Sequence, residues 1–92
     1  MESQSADSCR ISIYASDTNN VLSRILQLFG KSRFDVSYIQ VFNTRDENLK
    51  LIVVEASFPK EMMTLIVSRI EKIIEVHRAF PHAEEEQKPT AC

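Results

Sequence analysis

One glycine, Gly30, is all that the 92 residues contain, and tryptophan is absent altogether. A single glycine excludes the Gly-rich phosphate loops, both G-x-G-x-x-G and the P-loop, because each needs several positions without a side chain. The two cysteines, Cys9 and Cys92, stand near opposite ends and in neither a C-x-x-C nor a metal-ligand spacing. Reduced thiols in a cytoplasmic protein are the simplest expectation. No apolar run approaches the roughly 20 residues that span a bilayer, and residues 1–8 lack the basic and apolar stretches of a secretory signal. No membrane partner is therefore expected. Neither sign of charge dominates, and a net charge of −2 gives no bulk attraction to a polyanion. The length allows one domain with one modest core.

What is present is a succession of short periodic segments. Residues 10–16 alternate, with Ile11, Ile13 and Ala15 on one face and Ser12, Tyr14 and Ser16 on the other, as a half-buried strand requires. From about Asn19 to Ser32, apolar residues at 21, 22, 25, 26, 28 and 29 form one helical stripe. Asp17, Thr18 or Asn19 can each cap this helix, and Gly30 falls inside its last turn. A second strand covers residues 36–43, with Ile39 and Val41 opposite Tyr38, Gln40 and Phe42. After the polar link Thr44-Arg45-Asp46-Glu47-Asn48, residues 49–57 make a third strand whose Leu51-Ile52-Val53-Val54 is apolar on both faces, which suits a central position. Pro59 opens a second helix, with Ser57 as the available cap. Its buried stripe is expected to be Met62, Met63, Ile66, Val67, Ile70, Ile73 and Ile74, with Leu65 outside it. Residues 75–80 form a short last strand.

The order β-α-β-β-α-β predicts an α+β fold, a ferredoxin-like sandwich in which a four-stranded antiparallel sheet carries both helices on one face. Residues 1–8 and the acidic tail 81–92 are expected to be disordered around a domain spanning 9–80. The second sheet face is then uncovered and should present Tyr14, Leu51, Val53, Arg78 and Phe80. So much contiguous apolar surface calls for a partner or self-association. The edge strand with Tyr38, Gln40 and Phe42 offers a second route by strand addition.

No catalytic constellation can be assembled. His77 and His82 have no carboxylate or cysteine at triad or ligand spacing, and His77 reads as a partly buried strand residue. Neither a metal nor a cofactor is expected. The turn at 17–21 is where a small anionic or amino-acid ligand could meet the free N–H groups of a helix start, and an ordinary capped helix explains the same residues. RNA-recognition modules share this element order and stack bases on aromatics of the first and third strands. Here the third strand offers Leu51, Val53 and Glu55 instead, so nucleic-acid binding is not expected.

Three stretches carry a family resemblance: Val21-Leu22-Ser23-Arg24-Ile25, Leu28-Phe29 through Phe34-Asp35-Val36, and Ile70-Glu71-Lys72-Ile73-Ile74-Glu75-Val76. Together they resemble the ACT domain, a small regulatory module of amino-acid metabolism, and within it the small regulatory subunit of acetolactate synthase (acetohydroxyacid synthase), isozyme II type. The resemblance implies a non-catalytic chain that binds and activates the thiamine-diphosphate-dependent catalytic large subunit in branched-chain amino-acid biosynthesis. It implies a homodimer paired side by side through strand two and helix one; Tyr14, Tyr38, Gln40, Phe42, Leu51 and Val53, on the open face and the edge strand, are the residues expected at a dimer or partner interface. It also implies an effector site for a small amino acid such as valine, between the turn of one copy (Asp17, Asn19, Asn20 and Val21) and strand two of the other. Two positions depart from the family pattern. The turn reads Asn19-Asn20 where a glycine usually admits the ligand, which puts effector binding in doubt. Arg33 stands where the family tends to have glycine. A free-standing ACT module that senses a small amino acid, or docks onto another metabolic enzyme, is the alternative.

Overall fold

A computed structural model of the chain describes residues 7–82. The elements follow as β1 (Asp7–Ala15), α1 (Thr18–Lys31), β2 (Val36–Asn43), β3 (Lys50–Phe58), one 3-10 turn (Lys60–Met62), α2 (Met63–Glu71) and β4 (Val76–Pro81). The strands form one antiparallel sheet in the order β2-β3-β1-β4. This is the expected ferredoxin-like sandwich. Alternation along each strand sends Ile11, Ile13 and Ala15 of β1 and Ile52, Val54, Ala56 and Phe58 of β3 to one face, where they pack with Val21, Ile25 and Phe29 of α1 and Ile66 and Ile70 of α2. Strand bounds agree with the sequence reading to within one residue for β2, β3 and β4. β1 begins earlier, at Asp7, inside the stretch expected to be tail. The remaining parts of the two expected tails, residues 1–6 and 83–92, lie outside the described residues.

The end of α1 is a Schellman motif. The N–H of Arg33 bonds to the Gly30 carbonyl at 3.0 Å and that of Phe34 to the Phe29 carbonyl at 3.0 Å. Arg33 occupies the left-handed position at φ 61°, where glycine is the usual residue. The aromatic contacts that follow explain why this strain is tolerated. Phe29 and Phe34 both close on Phe58, with ring centroids 6.1 and 5.7 Å apart, and Phe58 and Phe29 are fully buried.

Several local expectations are corrected. Ile74 is not part of the buried stripe but 92% exposed. α2 stops at Glu71, and tight three-residue turns follow, from Lys72 N–H to the Arg69 carbonyl and from Ile73 N–H to the Ile70 carbonyl. The 3.6-residue phase is lost there, so Ile73 turns inward and Ile74 outward. Pro59 precedes its helix as an extended residue, and the helix starts as a 3-10 turn without a side-chain cap; Ser57 instead donates its backbone N–H to the Asp35 carbonyl. His77 is exposed rather than partly buried. Cys9 is buried and carries no free thiol, against the expectation of reduced cysteines.

The Arg33 geometry makes a stability prediction. Arg33→Gly should raise unfolding free energy by up to about 1 kcal/mol, the left-handed penalty less the extra freedom of the unfolded chain. Arg33→Val, β-branched at positive φ, should lower it by about 1 kcal/mol or more. Urea unfolding of the two variants beside the parent checks both signs.

Candidate functional site

The turn between β1 and α1 is built by backbone, not by side-chain capping. Asp17 sits at the helix N-cap in the left-handed conformation, φ 44° and ψ 62°, and its side chain makes no capping bond. Its carbonyl accepts from Asn20 N–H at 3.1 Å and Val21 N–H at 3.2 Å. Among the described residues, only the N–H groups of Thr18 and Asn19 at this helix start remain without an acceptor. Asp17 and Asn19 are exposed, Asn20 is half-buried, and the Val21 side chain lies in the core. Of the four residues expected to hold an effector, Val21 therefore contributes packing, and its N–H is already engaged. The turn is anchored from outside as well: Ser16 donates its N–H to the Glu75 carbonyl at 3.0 Å, tying it to the segment that carries exposed Ile74.

The six residues expected at an interface all lie on the open sheet face, in cross-strand rows set by register. Phe42, Leu51, Tyr14 and Arg78 make one row; Gln40, Val53, Ser12 and Phe80 make the next; Tyr38, Glu55 and Arg10 make a third. Aromatic and cationic groups partly roof this face. Tyr14 and Phe80 approach to 6.1 Å between centroids, Arg78 lies 5.0 Å over the Phe80 ring, and Arg10 lies 5.9 Å from the Tyr38 centroid. Tyr38 also donates its hydroxyl to Gln40 Oε1. An open hollow of about 400 Å³ has Leu51 and Val53 as its floor and Tyr38, Phe42, Arg10, Asn43 and His82 around it. Among the described residues, no hydrogen bond, ion pair or ring contact joins this hollow directly to the turn at 17–21.

Sequence reasoning missed part of this face. Arg10 was findable, because it shares the alternation that places Tyr14. His82 was not: it lies beyond Pro81, yet its N–H bonds to the Arg10 carbonyl at 2.9 Å and its Nδ1 lies 2.6 Å from Oγ of buried Ser12. Glu55 is the one titrating group on this face with a clear shift. Its carboxyl is held below the ordinary value of 4.5, first by the Ser8 hydroxyl, 2.5 Å from Oε2, and then by Arg10, whose Nε lies 3.3 Å from Oε1; partial desolvation opposes both. Among the described residues, no group of three or more His, Cys, Asp or Glu side chains is arranged to hold a metal ion. No helix there is long and apolar enough to cross a membrane.

The ACT domain family model matches residues 17–79, from the turn to the last strand. No curated protein matches the chain in sequence. Among solved structures, the C-terminal domain of the MgtC protein from Mycobacterium tuberculosis superposes with a TM-score of 0.75 at 10% identity, over 98% of this chain and 100% of that one. The acetolactate synthase small subunit from Thermotoga maritima gives 0.73 at 19% identity over 87% of this chain, which spans 50% of that subunit's length. The ACT domain from GTP pyrophosphokinase of Chlorobium tepidum gives 0.66 at 15% identity, over 84% of this chain and 99% of that one. At these identities the likeness is one of fold.

Because the Glu55 carboxyl is depressed in the folded protein, it contributes stability that is present above its unfolded value and lost as pH falls through the folded one. Glu55→Gln should therefore melt below the parent at pH 7, and the difference should close well below pH 4.5. Thermal melts of both proteins across that range check the sign.

Proposed function

The chain belongs to the ACT domain family, and on that premise we propose that it is a regulatory module without catalysis of its own, which senses a small amino acid or docks onto a metabolic enzyme. The family match over residues 17–79 carries this reading, since it includes the turn and the edge strand on which such modules act. The amino acid would meet the N–H groups of Thr18 and Asn19, the two donors left open by the Asp17 carbonyl. The Asn19-Asn20 side chains narrow the approach that glycine would leave free, so the affinity expected is low.

The finer reading is a small subunit of acetolactate synthase that binds and activates the catalytic large subunit in the cytoplasm. The three sequence stretches that resemble this subunit support it, and the likeness in fold to the Thermotoga maritima subunit is consistent with it. Under this reading the present chain supplies the ACT portion, and valine is the effector to try first.

Both readings include a homodimer through β2 and α1. β2 is a sheet edge, so its outer backbone groups are open to a second strand. Leu26 lies two residues beyond Arg24, roughly 200° round the axis and away from α2. It is 49% exposed, and Val41 on the helix side of β2 is 38% exposed. Antiparallel pairing of two β2 strands would give one eight-stranded sheet and cover both residues. Leu26→Glu combined with Val41→Glu should turn the dimer into a folded monomer in sedimentation equilibrium. A parent that is already monomeric at high concentration would remove this interface.

Acetolactate formation by a purified catalytic subunit from the same source, with and without this chain and with and without valine, tests the finer reading. Activation with co-elution is expected. No activation and no complex would withdraw that partner. A melting screen of amino acids then tests the broader reading: a ligand at about 100 times its Kd stabilises by about 2.7 kcal/mol, a shift of roughly 10–20 °C in a domain this size.

A further inference from the structure

The helix layer carries a feature that neither the effector turn nor the β2 edge accounts for. A groove of about 240 Å³ runs between α1 and the C-terminal part of α2, lined by Arg24, Gln27, Leu28 and Lys31 from one side and by Arg69 and Ile73 from the other. Three of its six lining residues are cations and none is acidic, in a chain whose net charge is −2. Arg24, Lys31 and Arg69 are exposed and have no ion pair or hydrogen-bonded side-chain partner among the described residues. The acid closest in sequence on α2, Glu71, is directed elsewhere: its Oε2 accepts the Ala79 N–H at 3.0 Å. Ile73 is buried and Leu28 half-buried, so the floor between the cations is apolar.

We propose that this groove docks an acidic, amphipathic segment of a partner protein, with its carboxylates on Arg24, Lys31 and Arg69 and an apolar side chain over Leu28 and Ile73. Spacing suits an extended acidic occupant. Arg24 and Lys31 are seven residues apart on one helix face, about 10.5 Å along the axis, so carboxylates in a row can meet each cation separately. A helix with Glu at i and i+7 repeats that distance, and an apolar residue between them faces the floor. Composition separates it from a nucleic acid, because single strands are held by aromatic stacking as well as charge, and no aromatic side chain lines the groove. The site lies on the opposite side of the molecule from the open sheet face, and on the side of α1 away from Leu26. It stands independently of the regulatory reading and leaves the β2 edge free.

The test uses the full chain and a synthetic helical peptide with Glu at i and i+7 and leucines on the same face. Its Gln-substituted twin is the control. Fluorescence anisotropy measures affinity, and backbone amide NMR shifts locate the contact. The Glu peptide is expected to bind with shifts along α1 and α2, to weaken as salt rises, and to lose about tenfold or more in affinity on combined Arg24→Glu, Lys31→Glu and Arg69→Glu. Arg78→Glu, on the other face, should leave binding unchanged, and unaltered melting of the triple variant would exclude unfolding as the cause. Equal binding of the Gln twin, shifts confined to the open sheet face, or tighter binding of a single-stranded oligonucleotide in the groove would each overturn the proposal. So would a gain in affinity on combined Glu84→Gln, Glu85→Gln and Glu86→Gln, which would assign the groove to the chain's own acidic run.

Discussion

The pairing of β1 with β3, from Asp7↔Phe58 to Ala15↔Lys50, is the constraint on which the rest of the molecule depends. Both strands are central, and their register places Ile11, Ile13 and Ala15 beside Val54, Ile52 and Lys50, so one side of the pair becomes an almost wholly apolar floor. A slip of one residue would turn the apolar set of the slipped strand outward and bury Arg10 or Glu55 in its place. Once the register is set, both crossovers must lie on the apolar side, where Phe29 of α1 stacks on Phe58 of β3 and α2 packs beside β4. The opposite side is then left without a covering layer, and the partial roof of Tyr14, Phe80, Arg78, Arg10 and Tyr38 is a consequence of that. Surfaces for partners follow from the same constraint: an edge at β2, an uncovered sheet face, and a seam between two helices that share one floor.

Much of this was legible because alternation is a strong signal where one face is dry. Tyr14, Leu51, Val53, Gln40, Phe42 and Tyr38 could be assigned to one face by counting twos, and the structure puts them in facing rows. The failures have local causes. Ile74 continues the helical pattern in sequence, but three-residue turns after Glu71 change the phase, and no residue in Lys72-Ile73-Ile74 announces that change. The end of α1 was partly legible: Arg33 stands where the family tends to have glycine, and the structure finds it left-handed at φ 61°. Asp17 looked like a side-chain cap, but its backbone is left-handed and the carbonyl does the bonding. The groove was half-readable: Arg24 and Lys31 share a helix face by spacing, whereas Arg69 joins them only through the packing of α2.

Two left-handed residues that are not glycine bracket α1, and their surroundings differ. At Arg33 the strain is offset by two well-formed backbone bonds and by Phe29 and Phe34 closing on Phe58. At Asp17 the only return is the pair of bonds accepted by its carbonyl, since the side chain is exposed and uncapped. Such a conformation persists where its surroundings over-determine it, and here the surroundings are the Ser16–Glu75 tie and the buried Val21. These hold the turn from both sides. Relaxing Asp17 would move Ser16 or lift Val21 from the core.

That rigidity bears on which regulatory role the fold can support. Donors already satisfied by Asp17 cannot serve a ligand unless the turn opens, and opening would disturb the core at Val21. An effector is thus restricted to two N–H groups beside two asparagine side chains, a poor site by the standards of a concave, mostly apolar pocket. The macromolecular surfaces carry no such restriction. The β2 edge, the open sheet face and the helix groove are formed without rearrangement and present exposed apolar or cationic groups. Within one chain, then, the surfaces open to other chains stand fully formed, whereas the turn offers a small ligand two N–H groups and no enclosing wall.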